Sequence, residues 1–218
     1  DYLENNNGKE SGIASTLEIY DGIVRKPSTL TTPEPFELHK HFDNAVKSGT
    51  DYFTMEVSSQ ALKYGRTEGV NFKIGCYLNI GIDHISANEH PDFEDYFESK
   101  AKLFGMAPKA FINLDDYRAL KLMKGAPKCN FKTYAVDNNA DMLAKDITIT
   151  NVSVDFKVKL GMRNERVKVN IPGRYSVYNA LAAVSIANAV GVDPEKIKEG
   201  LDNIIVPGRN ELVPNKQE

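Results

Sequence analysis

Short apolar runs separated by segments of helical periodicity constrain this chain more than any other feature. "DYFTMEV" (51–57), "FKIGCYLNIG" (72–81), "KAFINLDD" (109–116) and "FKTYAV" (131–136) have strand length and polar punctuation. An earlier run, "IASTLEIYDG" (13–22), reads as another strand. Helical patterns fall between them, as in "TLTTPEPFELHKHFDNAVKSG" (29–49) and "HPDFEDYFESKAKLFG" (90–105). Strands alternating with helices predict a three-layer α/β fold on a mostly parallel sheet. From 145 to 171 the apolar period shortens to two, so an antiparallel hairpin extension follows. Two helices close the pattern, "YSVYNALAAVSIANAVG" and "DPEKIKEGLDNI". The opening residues, "DYLENNNGKESG", read as a frayed helix end and a polar turn.

In the first helix, Thr32 is the expected N-cap and Pro33 the first-turn residue. Leu38, Phe42, Ala45 and Val46 form its apolar stripe, and Gly49 ends it. With 218 residues and 41% hydrophobic content, the chain can bury a core for one sizeable domain or two small ones. A net charge of −3 without a dense basic block excludes a nucleic-acid-binding arm. Cys76 and Cys129 lie far apart and outside any CxxC spacing, as free thiols of a reducing compartment do. No run of about 18 apolar residues and no signal peptide is visible, so a cytoplasmic protein without a membrane span is expected.

In parallel sheets ligands sit beyond the carboxyl ends of strands. Glu56, Ser58, Ser59 and Gln60 follow such an end, with Arg66 shortly after. Gly8-Lys9 suggests a phosphate loop, but the pattern requires glycine where Leu3 stands and a hydroxyl where Glu10 stands, so the segment reads as a polar turn. On the helix around 93–104, Phe93, Tyr96, Phe97, Leu103 and Phe104 trace one apolar face, and Lys100 lies on it. A lysine there either snorkels to water or, with its pKa lowered by burial, becomes chemically modifiable. A carbamate formed with CO2 would make it an anionic oxygen ligand for a hard cation. Asp83, His84, Glu89 and His90 crowd one loop, either as solvated surface or as a metal or phosphate site that Glu56 and Lys100 would join. Thr31 and Thr32 either cap a helix or help its free N–H groups bind an anion. Spacing leaves Arg174, Asn179 and Arg209 open between surface or capping residues and ligand contacts.

Taken together, "TTPEPFEL", "DYFTMEVSSQAL", Gly65-Arg66, "NIGIDH", "DFEDYFESKAKLF", "INLDD", "GRYSVYNALAA" and "VPGR" resemble, in order, the central ATP-binding domain of the Mur ligase family. The resemblance covers nearly the whole chain. It implies an ATP-dependent ligase of peptidoglycan precursor synthesis that joins an amino acid, diaminopimelate or lysine, to a UDP-muramoyl dipeptide. In that chemistry the peptide carboxylate is phosphorylated by ATP, and the incoming amine displaces phosphate. The resemblance makes Glu56, carbamylated Lys100 and His84 the catalytic residues, with Glu56 and Lys100 organising Mg²⁺ and His84 serving a second magnesium. It assigns Thr31, Thr32, Ser58 and Arg66 to the UDP-muramoyl peptide, Asn179 to adenine and Arg209 to the ATP phosphates. Gly81 stands where the family usually has Thr or Ser, and Gln60 where it usually has His.

By the same likeness, residues 1–208 form the central domain and 209–218 begin a C-terminal ligase domain. The phosphate loop and a uridine-binding domain would lie upstream. The chain is therefore expected to be a fragment that neither ligates nor hydrolyses ATP appreciably on its own. Rival readings are a folylpolyglutamate synthase-like ligase, a non-catalytic binding module, and a metal hydrolase using His84 and His90.

Overall fold

A computed structural model describes residues 11–81, 84–86, 89–204 and 206. The described chain divides into two compact units. The first runs up to Ala110 and takes in Asp116–Lys132, and the second holds Phe111–Asp115 and continues from Thr133.

The first unit opens with strands β1 (Gly12–Ala14), β2 (Glu18–Tyr20) and β3 (Arg25–Pro27), an antiparallel meander. The run 13–22, expected to be one strand, is thus two strands and a tight turn. Ser15 is the cause: its Oγ accepts the backbone N–H groups of Leu17 and Glu18, both at 3.2 Å, which bends the chain where an apolar pattern would continue. Helix α1 (Pro35–Ser48) starts three residues after the expected cap. Glu34 occupies the N-cap and Pro35 the first position, because the Thr32 hydroxyl is bonded elsewhere. The buried face of α1 is Leu38, His41 and Ala45, whereas Val46 is 79% exposed and off the stripe. Gly49 closes the helix at φ 73°, a conformation that a Cβ disfavours.

Strand β4 (Phe53–Met55) pairs in parallel with β1, and the first sheet has the order β3-β2-β1-β4. Gly12 lies opposite Phe53, and a Cβ on Gly12 would stand 2.4 Å from that ring. Then come α2 (Ser59–Lys63), β5 (Gly75–Tyr77) and α3 (Phe93–Ala101), which runs into a 3₁₀ turn at Lys102–Gly105. Asp92 caps α3 by accepting from the Asp95 N–H at 2.9 Å. Tyr96, Phe97 and Phe104 are buried, as the apolar face of this helix requires. Helices α2 and α3 pack together.

Strands β6 (Lys109–Asn113), β7 (Asn130–Ala135) and β8 (Met142–Leu143) complete a parallel four-stranded sheet in the order β5-β6-β7-β8, with α4 (Ala119–Gly125) between β6 and β7 in sequence. In the second unit, β9 (Lys145–Ile149), β10 (Val154–Leu160) and β11 (Arg163–Val169) form the antiparallel extension, ordered β11-β10-β9. Val154, Phe156, Val158, Leu160, Val167 and Val169 are buried on one face, each such side chain contributing roughly 1.5–3 kcal/mol. Helix α5 (Arg174–Ala189) packs on β10 and β8, and α6 (Pro194–Asp202) on β11. No described helix is long and apolar enough to cross a membrane. Neither Cys76 nor Cys129 is in a disulfide, and burial raises the pKa of Cys129.

Candidate active site

Glu56 extends β4 by donating its N–H to the Ala14 carbonyl at 2.8 Å, so its side chain emerges at the strand's carboxyl end. Its Oε2 accepts from both the backbone N–H and the Oγ1 of Thr16, each at 2.8 Å. The Thr16 hydroxyl is also 3.1 Å from that of Thr31. Beneath them, fully buried Thr32 donates its hydroxyl to the Glu56 carbonyl at 2.9 Å and accepts the Ser58 N–H at 3.0 Å. The Ser58 Oγ accepts from the Ala61 N–H and starts α2. Arg66 Nε bonds Glu34 at 2.9 Å, with its guanidinium 3.5 Å from the Thr32 carbonyl. The structure therefore gathers Thr31, Thr32, Ser58, Arg66 and Glu56 into one network. Within it, buried Thr32 braces two backbones, while Thr31 and Glu56 lie at the surface.

The other two residues assigned to the metal lie around Tyr96. Half-buried Lys100 has its Nζ 5.2 Å from the Tyr96 ring centroid, and the His84 ring lies 5.5 Å from the same ring. The Nδ1 of His84 is 3.3 Å from Glu89 Oε1, and His84 holds a left-handed φ of 58°. His90 is completely buried. Its Nδ1 is 2.5 Å from Asp95 Oδ2 and its Nε2 is 2.9 Å from Ser59 Oγ. With both ring nitrogens engaged, His90 is no metal ligand, and the hydrolase reading built on His84 and His90 loses one of its two imidazoles. The hydrogen bond from Lys63, and then that from His90, hold Asp95 below the usual carboxylate range. Ser58 and Ser59 are adjacent, so the start of α2 belongs to both groups of residues.

Among the described residues, no three His, Cys, Asp or Glu side chains are grouped to hold a metal ion. A closed cage of protein ligands is therefore absent from them. A single exposed carboxylate such as Glu56 does suit Mg²⁺, which keeps water and takes substrate phosphates alongside one or two carboxylates.

In the second unit, Asn179 is exposed in the first half of α5. Beside it in sequence, Tyr178 donates its hydroxyl to Asp115 at 3.0 Å, and Arg174 bonds Asp137 at 2.5 Å. Asp115 also accepts the N–H groups of Val136, Asp137 and Asn138 at 2.6–2.9 Å. Burial raises its pKa, but these bonds outweigh that and leave it lowered. Burial, then Asp115, pushes Tyr178 up to about 12. Arg209, Asp83 and the Gly8-Lys9 turn lie outside the described residues.

Sequence reasoning missed Thr16, which it placed inside a strand. The polar pair Ser15-Thr16 within "IASTLEI" is the signal that could have marked the turn. It also missed Glu34 and Lys63, because an ion pair between distant segments leaves no spacing to read.

Residues 2–187 match the Mur ligase middle domain, and the chain belongs to this family. It is 36% identical over 211 residues to a UDP-N-acetylmuramoyl-L-alanyl-D-glutamate–2,6-diaminopimelate ligase of Clostridium perfringens, covering 94% of this chain and 43% of that protein. The ligase of the same name from Caldanaerobacter subterraneus is 37% identical, covering 97% of this chain and 43% of its own length. A solved structure of a ligase with this name superposes with a TM-score of 0.81 at 26% identity, over 93% of this chain and 42% of the other. The chain thus spans less than half the length of the relatives it matches.

Proposed function

We propose that this chain is the central, ATP-binding part of an ATP-dependent ligase that adds diaminopimelate to UDP-N-acetylmuramoyl-L-alanyl-D-glutamate. The names of its relatives support this substrate pair. The observation that carries the reading is the continuous network of Thr16, Thr31, Thr32, Glu56, Ser58 and Arg66 at the end of β4. Acyl transfer through a phosphorylated carboxylate needs two anionic reactants held together, and rigid hydroxyls, a guanidinium and a fixed carboxylate serve that purpose.

In this reading Thr31, Ser58 and Arg66 hold the muramoyl peptide, with Thr32 bracing them from below. Glu56 and a carbamate on Lys100 would hold one Mg²⁺ and His84 would serve a second, and these cations would offset the charge on the transferring phosphoryl group. The carbamate would make Lys100 an anionic oxygen ligand suited to a hard cation. Asn179 would contact adenine and Arg209 would serve the nucleotide phosphates. The lack of a disulfide at Cys76 and Cys129 supports a cytoplasmic setting.

The test is Lys100→Ala in the full-length protein. Ligation should fall by at least about 100-fold, the scale of losing one charge-stabilising group, and short carboxylates added to the buffer should restore part of it. A ¹³C carbamate resonance should appear in wild type under ¹³CO2 and vanish in the variant. Unchanged turnover with no carbamate signal would remove Lys100 from the reaction.

A further inference from the structure

Ser59, His90 and Asp95 are joined in the hydrogen-bond order of an acyl-transfer triad, immediately after a strand and at the first turn of a helix. Their burial argues against that chemistry. His90 has no exposed surface and Ser59 only 5%, so no carbonyl substrate reaches the hydroxyl. What the chain of bonds does instead is mechanical. Asp95, on α3, accepts a hydrogen bond from His90 Nδ1, and His90 Nε2 pairs with the hydroxyl of Ser59, on α2. Lys63, also on α2, donates to Asp95 at 2.7 Å and to the Glu89 carbonyl at 3.2 Å.

The backbone of His90 is equally engaged. Its N–H donates to the His84 carbonyl at 3.2 Å, and its carbonyl accepts from the Ser86 N–H at 3.0 Å. Ile85 and His90 form an isolated parallel bridge. These bonds tie the left-handed backbone of His84 to the backbone of His90. The His90 ring also lies 5.1 Å from that of Tyr96, tilted by 46°, against the ring that His84 and Lys100 share.

We infer that His90 is a positioning residue, clamped between Ser59 and Asp95, which sets the backbone of His84 and the Tyr96 ring for the cation-binding group. This rests on the proposed role of His84 and Lys100. Supporting groups of this kind typically change metal affinity by about 10–100-fold when altered.

The test uses the full-length protein with Asp95→Asn and, as a milder change, Ser59→Ala. The Mg²⁺ concentration for half-maximal ligation should rise by about 10–100-fold, with the KM for the UDP-linked substrate unchanged. Without metal or nucleotide, the amides of Ser86 and His90 should exchange with deuterium at least about tenfold faster, while those of α5 keep their wild-type rates. An unaltered Mg²⁺ requirement, with loss of thermal stability alone, would reduce His90 to a packing residue and overturn the inference. Covalent labelling of Ser59 by a fluorophosphonate would overturn it too, by making the serine an accessible nucleophile. If Lys100→Ala leaves turnover intact, the cation-site reading fails by itself, and the metal-free exchange rates still decide whether His90 fixes the turn.

Discussion

Asp21 has no exposed surface, yet its carboxyl is held at about 2, below the ordinary 3.8. Burial alone would raise it, but His41 Nδ1 at 2.5 Å, the N–H groups of Val24 and Ile23, and the Asn44 amide at 2.8 Å favour the ionised form. Because the folded value is depressed, the stabilisation is complete above pH 4 and is lost as pH falls through about 2. It amounts to about 2 kcal/mol. Chemical denaturation between pH 5 and 2 should show this loss in wild type, and Asp21→Asn should flatten it. Asp21→Ala should cost at least about 3 kcal/mol at neutral pH, since it strands several buried donors. At this scale Glu56 was legible in the sequence, because a carboxylate directly after an apolar run is conspicuous. Its partner Thr16, 40 residues earlier, was not, because a side-chain bond between a turn and a distant strand end leaves no spacing to read.

The elements differ in how plainly the sequence announces them. Helices α3, α5 and α6 follow their apolar periodicity, whereas strands of two or three residues, such as β1, β2 and β8, are too short to display an alternation. Proline also misled: Pro33 and Pro35 both suit a helix start, and the Thr32 hydroxyl settles the choice by binding Glu56 and Ser58 instead. Two predictions belong here. Gly12→Val should push Phe53 and β4 away from β1, costing about 1–3 kcal/mol. Since β4 carries Glu56, ligation by the full-length protein should fall with it, a loss visible in kcat at temperatures where the variant remains folded. Asp92→Ala should remove the cap of α3 and cost about 1 kcal/mol, measurable by urea denaturation.

At the scale of the whole molecule, the 218 residues contain no G-x-x-x-x-G-K-[ST] loop. The purified chain should therefore hydrolyse no ATP above blank in a phosphate-release assay, and a robust rate would contradict the division of labour proposed here. The antiparallel extension bears on behaviour at high concentration. Its outer strands are β9 and β11, the first with Asp146 at φ 51° and a register irregularity against β10 between Asp155 and Lys157, the second lined by Arg163, Glu165, Arg166 and Lys168. A neighbouring molecule seeking to continue the ladder meets a kinked margin on one side and a row of hydrated charges on the other. Fibril growth by strand addition at these two edges is thereby discouraged.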